Sequence, residues 1–113
     1  MNRFEYKIYN SVYNDIISGK KTIEFRLLND KSNSINIGDE IKFINVDNYE
    51  KYIIVNVINK YIYDGIDDLW SKKEVLNNTL SYTKEELKKA FYNIFGNKVK
   101  QSKIVGIEFK IYK

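Results

Sequence analysis

The 113-residue chain contains no cysteine, no histidine and no proline. Without cysteine there can be no disulfide, no zinc–thiolate site and no cysteine nucleophile. Without histidine the commonest general base and the commonest transition-metal ligand are missing. Any chemistry falls to Asp, Glu, Lys, Tyr, Ser, Thr or a borrowed water. No apolar run approaches the ~20 residues that cross a bilayer, and the polar opening MNRFEYK does not have the form of a signal peptide. The expectation is a cytoplasmic protein with no membrane contact, no metal and no cofactor.

What is present points to a folded domain. Apolar residues make up 43% of the chain and are spread along its length, which argues against disorder. A chain of this size forms one domain, 1–113, and buries about two-thirds of its unfolded surface. The net charge is +4 and the pI near 9.1, a balance that favours polyanions. Lysine also serves here as general surface filler, in a chain rich in Lys, Asn, Ile and Tyr with Ala90 as its one alanine. Against that background the only arginines, Arg3 and Arg26, stand out. Arginine offers a planar fork for phosphate or carboxylate that lysine cannot copy.

Hydrophobic periodicity gives the order β-α-β-β-β, one or two helices, then β. Residues 3–9 alternate, with Phe4, Tyr6 and Ile8 on one side. Asn10 or Ser11 can cap a helix over 11–18 that carries Val12, Ile16 and Ile17 and ends at Gly19. A second strand covers 20–28, and the Ser/Asn-rich segment 29–36 reads as a loop. Ile37-Gly38-Asp39 turns into a strand from Glu40 to Val46, with a hairpin turn at Asp47-Asn48. The strand 51–63 is apolar on both sides, as a central or strongly curved strand would be. A short helix is expected over 64–73, with Ile66, Leu69 and Trp70 inward. Thr83-Lys84-Glu85-Glu86 is a capping box, opening a helix with Leu87, Ala90, Phe91 and Ile94 at helical spacing. The segment 103–112 alternates and closes the sheet. Together these predict an α+β fold: a small β-barrel of five to six mostly antiparallel strands, with two to three helices at its rim around a cleft.

One stretch combines charge with alternation: GKKTIEFRL, residues 19–27. Ile23, Phe25 and Leu27 share one strand face, and Thr22, Glu24 and Arg26 share the other, ~6.5–7 Å apart. Lys21 lies at the strand's entry, where its ammonium can swing to the same side. A carboxylate between two cations stays ionised and orients them. Such a cluster can hold a phosphate by the Arg fork and accept an amine N–H on the carboxylate. The same spacing also fits a solvent-facing strand with cross-strand ion pairs worth ~0.2–1 kcal/mol each.

Gly19-x-Lys21-x-x-Glu24-x-Arg26 resembles the GxKxxExR signature of ASCH domains, a branch of the PUA-like superfamily. Leu27, the polar segment 29–36, Ile37-Gly38-Asp39, the helix ending at Gly96 and Val105-Gly106-Ile107-Glu108 follow in the family's order, so the resemblance spans nearly the whole chain. It implies a small PUA-like barrel with Lys21, Glu24 and Arg26 pointing into a cleft, where RNA, a nucleotide or a modified nucleoside binds. Arg26 would hold a phosphate or carbonyl, Lys21 would add a second positive contact, and Glu24 would accept from an exocyclic amine or orient the cations. Arg26→Ala is then expected to weaken binding and leave the fold intact. The resemblance also covers a branch of amidohydrolases acting on acetylated cytidine, with threonine three residues after the motif lysine. Here Glu24 takes that place, Thr22 lies one pleat away, and Glu74 is the nearest match to the branch's later carboxylate. Lys21 and Glu24 would be the acid–base pair of a ribonuclease-type reaction. Three functions therefore stand: an RNA or nucleotide binder using Lys21, Thr22, Glu24 and Arg26; a hydrolase of an acylated nucleoside or RNA; and a protein-interaction module.

Other features read as scaffold or as accessory contacts. Tyr49, Tyr61, Tyr63 and Tyr82 fall near strand ends, where base stacking and core packing compete. Lys98, Lys100 and Lys103 space a basic stretch that could approach phosphates. Asp64, Asp67 and Asp68 cluster at a helix start, where they complement the dipole, and they lack the remaining ligands of a calcium loop. Asp39 reads as a turn residue.

Overall fold

The strand alternation read from the sequence reappears in the computed structural model, which describes residues 1–76, 83–96 and 102–112. The elements are β1 (Arg3–Ile8), α1 (Asn10–Ile17), β2 (Ile23–Leu27), α2 (Asp30–Ser34), β3 (Glu40–Asn45), β4 (Tyr52–Tyr63), α3 (Ile66–Trp70), α4 (Lys73–Leu76), α5 (Lys84–Phe95) and β5 (Ile104–Ile111). Five strands form one sheet in the order β1-β3-β4-β5-β2. β1 and β3 pair in parallel and the other three pairs are antiparallel. The sheet curls into a half-barrel, and its two edges, β1 and β2, face each other across a seam bridged by side chains.

Each face of the sheet has its own core. Residues opposed in a β-ladder share a face. Tyr6 and Ile8 of β1, Ile41 and Phe43 of β3, and Val105, Ile107 and Phe109 of β5 pack with Ile16 of α1 and with Ile35. Ile23, Phe25 and Leu27 of β2, Tyr63 and Ile104 pack on the other face against Ile66, Leu69, Val75, Leu87 and Phe91. β4 serves both. Val57 opposes Phe109 and Asn59 opposes Glu108, so a bulge at Ile58 adds one residue to β4 and reverses its alternation. Ile53, Val55 and Val57 therefore enter the first core and Tyr63 the second. This is the physical reason that the strand is apolar on both sides.

Three local expectations change. The polar segment after β2 is a helix: the Asn29 side chain accepts the Ser32 N–H at 2.9 Å and Ser32 Oγ accepts the Asn29 N–H at 2.9 Å. These residues close a capping box where a loop was expected. The first helix starts at Asn10 with Tyr9 at the N-cap position, and no side chain of its own caps it. The Asp47 carboxylate supplies the acceptor from the β3–β4 turn, 3.3 Å from the Asn10 N–H. The helix expected over 64–73 is the shorter α3, and a separate turn of helix, α4, follows from Lys73. The Thr83–Glu86 capping box and the helix it opens are as read. Lys98, Lys100, Tyr82 and the side chain of Glu74 lie outside the described residues.

The scaffold readings can be placed too. Tyr63 is buried, and Tyr61 donates its hydroxyl to Glu108 Oε1 at 3.0 Å. Trp70 packs against the second core. Asp39 accepts the N–H groups of Asn36 and Asn2, tying the turn to the start of β1. Asp68 pairs with Lys72, Asp67 with Lys88 and Asp64 with Lys103. Among the described residues, no group of three or more His, Cys, Asp or Glu could hold a metal ion, and no helix is long and apolar enough to cross a membrane.

Gly106 sits where the second core is tightest. It opposes both Phe25 and Tyr61, and an added Cβ would meet Tyr63 Cε2 at 2.8 Å and Phe25 Cε1 at 3.3 Å. Tyr63 is buried, so its ring can move only by displacing its neighbours. Gly106→Ala is expected to cost about 1–3 kcal/mol, read as a lower midpoint in urea unfolding; an unchanged midpoint would show that the Tyr63 ring yields.

Candidate functional site

The site lies at the seam between β1 and β2. α1 ends at Ser18, and Gly19 takes φ +81°, a left-handed conformation that lets the chain reverse. The Lys21 N–H then bonds the Asp15 carbonyl at 3.1 Å, so Lys21 is held against the end of α1 just before β2 begins. On β2, Glu24 opposes Ile107 and Arg26 opposes Val105. Both β5 residues belong to the first core, so alternation turns Glu24 and Arg26 to the inner side of the half-barrel.

There the three charges meet. Glu24 Oε1 lies 3.3 Å from Lys21 Nζ, and Glu24 Oε2 lies 2.9 Å from Arg26 Nη2. Arg26 Nε donates to the same Oε2 at 3.3 Å. Lys21 and Glu24 are buried, with 9% and 6% of their surface exposed. Burial pushes the Glu24 carboxyl up, but the Lys21 and Arg26 charges and their hydrogen bonds outweigh it and hold the group below its ordinary value of 4.5. The carboxylate is therefore ionised at neutral pH.

Arg26 also joins the sheet's two edges. Its Nη2 donates to the Lys7 carbonyl of β1 at 3.3 Å, and its guanidinium carbon sits 4.3 Å from the centre of the Tyr6 ring. Lys31, from α2, lies over the same ring and donates to the Glu5 carbonyl. Two cations thus bond alternate carbonyls of an edge strand that, among the described residues, has no strand neighbour on that side.

On one side of this clasp is a cavity of about 340 Å³. Lys21, Glu24 and Arg26 form its polar end. Ile8, Val12, Val46, Phe25, Leu87, Ala90 and Phe91 supply apolar wall, drawn from β1, α1, the β3–β4 turn, β2 and α5. On the other side is a hollow lined by Glu5, Tyr6, Lys7, Arg26, Lys31 and Ile44. Thr22 is half-buried and does not line either; its carbonyl accepts the Phe109 N–H at 3.0 Å. Sequence spacing had no means of finding Tyr6, Lys7, Tyr9 or Lys31, because only the closure of the sheet brings them to the seam. Leu87 and Phe91 were visible as the apolar face of a helix, and that signal does not separate core from cavity wall.

The contacts of Arg26 change one expectation. A side chain that holds a buried carboxylate and crosses between edge strands contributes to the fold. With Arg26 about one-quarter exposed, Arg26→Ala is expected to cost about 2–3 kcal/mol, less than the ~3–5 kcal/mol of a fully buried pair. The folded Glu24 value lies below the unfolded one, so its stabilisation is complete above the ordinary value of 4.5 and is lost as pH falls through the folded value. The gap in unfolding free energy between wild type and variant should therefore narrow as pH falls from the ordinary value of 4.5 through the folded value of Glu24; a gap that stays constant with pH would contradict the clasp.

No family model matches the chain, and no curated protein matches it either. Solved structures do resemble it. The hypothetical protein PH0355 is 24% identical, with a TM-score of 0.79 over 99% of this chain and 100% of that one. Protein PF0455 from Pyrococcus furiosus is 24% identical, with a TM-score of 0.73 over 100% of this chain and 99% of that one. The ASCH domain from Lactobacillus crispatus is 15% identical, with a TM-score of 0.68 over 96% of this chain and 79% of that one. The fold of this chain is accordingly that of the solved ASCH domains, an α+β half-barrel.

Proposed function

We propose that this chain binds RNA, a nucleotide or a modified nucleoside by taking one base into the cavity at the seam. The observation that carries the reading is a buried, ionised carboxylate, flanked by two cations, at the polar end of a mainly apolar cavity of about 340 Å³. That volume is near the lower end of the range for small-molecule sites, large enough for a nucleoside and too small for a duplex. An ionised carboxylate has about four acceptor positions; Lys21 and Arg26 occupy three of them here. One remains to accept from the exocyclic amine of a base, while the ammonium of Lys21 faces a ring nitrogen or carbonyl. The apolar walls exclude water from both faces of the ring, which strengthens the polar contacts at its edge.

Hydrolysis draws less support from the same geometry. A nucleophile must reach the cavity, and Thr22 does not line it. Glu24 shares its charge with two cations, which weakens it as a base.

Isothermal titration with free nucleosides tests the proposal. Wild-type protein should bind at least one amine-bearing nucleoside, and Lys21→Ala should weaken that binding by about 1–3 kcal/mol while the circular dichroism spectrum is unchanged. Folded wild-type protein that binds neither nucleosides nor RNA at low salt would refute it.

A further inference from the structure

The cavity mouth is built in a way that a free nucleoside does not need. Tyr9 lies at the junction of β1 and α1, lines the cavity, and has 60% of its surface exposed. Tyr49 lies in the β3–β4 turn and has 63% of its surface exposed. Lys7 connects them: it lines the cavity and the neighbouring hollow, and its ammonium sits 5.4 Å from the centre of the Tyr49 ring. Two exposed aromatic rings thus stand near the cavity that holds Glu24, one of them beside the Lys7 ammonium.

The support beneath these side chains is rigid. The Val46 N–H bonds the Ile8 carbonyl at 2.9 Å. Asn45, fully buried, donates to Asn10 Oδ1 at 2.9 Å and accepts the Asp47 N–H at 2.8 Å. Asp47 in turn accepts the Asn10 N–H. A turn that could wave freely is instead bonded to the strand–helix junction that carries Tyr9. Exposed tyrosines on a fixed base present their ring faces at low entropic cost, and every nucleobase has a face to stack on them. Lys7, Arg26 and Lys31 line the adjoining hollow, with Glu5 as the acid there. Glu50 is a second acid in the turn itself, and Asp47 is engaged by Asn10. Within that hollow the three cations outnumber Glu5, while Glu24, Asp47 and Glu50 offset them along the seam as a whole; a phosphate contact is therefore local, and Lys7 carries it.

We infer that the ligand of this site is a single-stranded oligonucleotide, with one base in the cavity and its neighbours stacked on Tyr9 and Tyr49 while Lys7 meets the intervening phosphate. The inference rests on the base-binding reading of the cavity and adds the class of ligand. A duplex would have to give up the pairing and stacking of the inserted base, a cost that an unpaired strand does not carry.

The test compares a free nucleoside with a five-nucleotide single-stranded RNA containing that base, on wild type, Tyr49→Ala and Tyr49→Phe. Each of the two stacked bases contributes about 1–3 kcal/mol, so the pentamer should bind at least about thirtyfold tighter than the nucleoside, and more weakly as salt rises. Tyr49→Ala should remove at least fivefold of the pentamer affinity and leave nucleoside binding unchanged, because Tyr49 does not line the cavity. Tyr49→Phe should retain the pentamer affinity. Nucleoside binding with no gain for the pentamer, or pentamer binding indifferent to Tyr49→Ala, would overturn the platform and leave the cavity reading intact. Failure of both ligands to bind would overturn both.

Discussion

The carboxylate of Glu24 is the constraint on which the rest of the seam depends. An ionised group with 6% of its surface exposed is costly to hold out of water unless its lone pairs are satisfied. Here Lys21 and Arg26 satisfy them from opposite sides. Neither cation could lie so close to the other without the anion between them. Remove the carboxylate, and two positive side chains are left side by side at one end of the cavity without the anion that pairs them.

This interaction has consequences beyond its own three residues. The sheet is a half-barrel whose edge strands do not pair. Arg26, oriented by Glu24, reaches the Lys7 carbonyl and rests on the Tyr6 ring, so the ion triplet also defines how β1 and β2 approach. Because backbone pairing stops at the seam, a space opens there between the two cores. Ile8 and Val12 line it from one side, Leu87 and Phe91 from the other. Closure by side chains in place of a hydrogen-bond ladder is what makes room for a ligand at this point of the fold.

Much of the strand plan was legible in the sequence because alternation is a local signal. Ile23, Phe25 and Leu27 against Glu24 and Arg26 already separate the two faces of β2. The Lys21–Glu24–Arg26 spacing was legible for the same reason, once Gly19 was read as the end of α1. Non-local features were not. Nothing near Lys7 announces that its carbonyl will meet Arg26, and nothing near Asn10 announces that Asp47 will cap its helix. Short polar segments were ambiguous for another reason. Asn and Ser favour loops and helix caps alike, so the Asn29–Ser32 box could be read either way. Thr22 shows the limit of face assignment: it alternates with Glu24 and Arg26, yet it stands one pleat short of the cavity.

The most direct measurement of the central claim is the ionisation of Glu24 itself. A carbon-13 NMR titration of its side-chain carboxyl should show a midpoint clearly below the ordinary 4.5, moving upward when Arg26 is replaced by Ala. A midpoint at or above 4.5 in the wild-type protein would mean that burial outweighs the two cations, and the clasp described here would not exist.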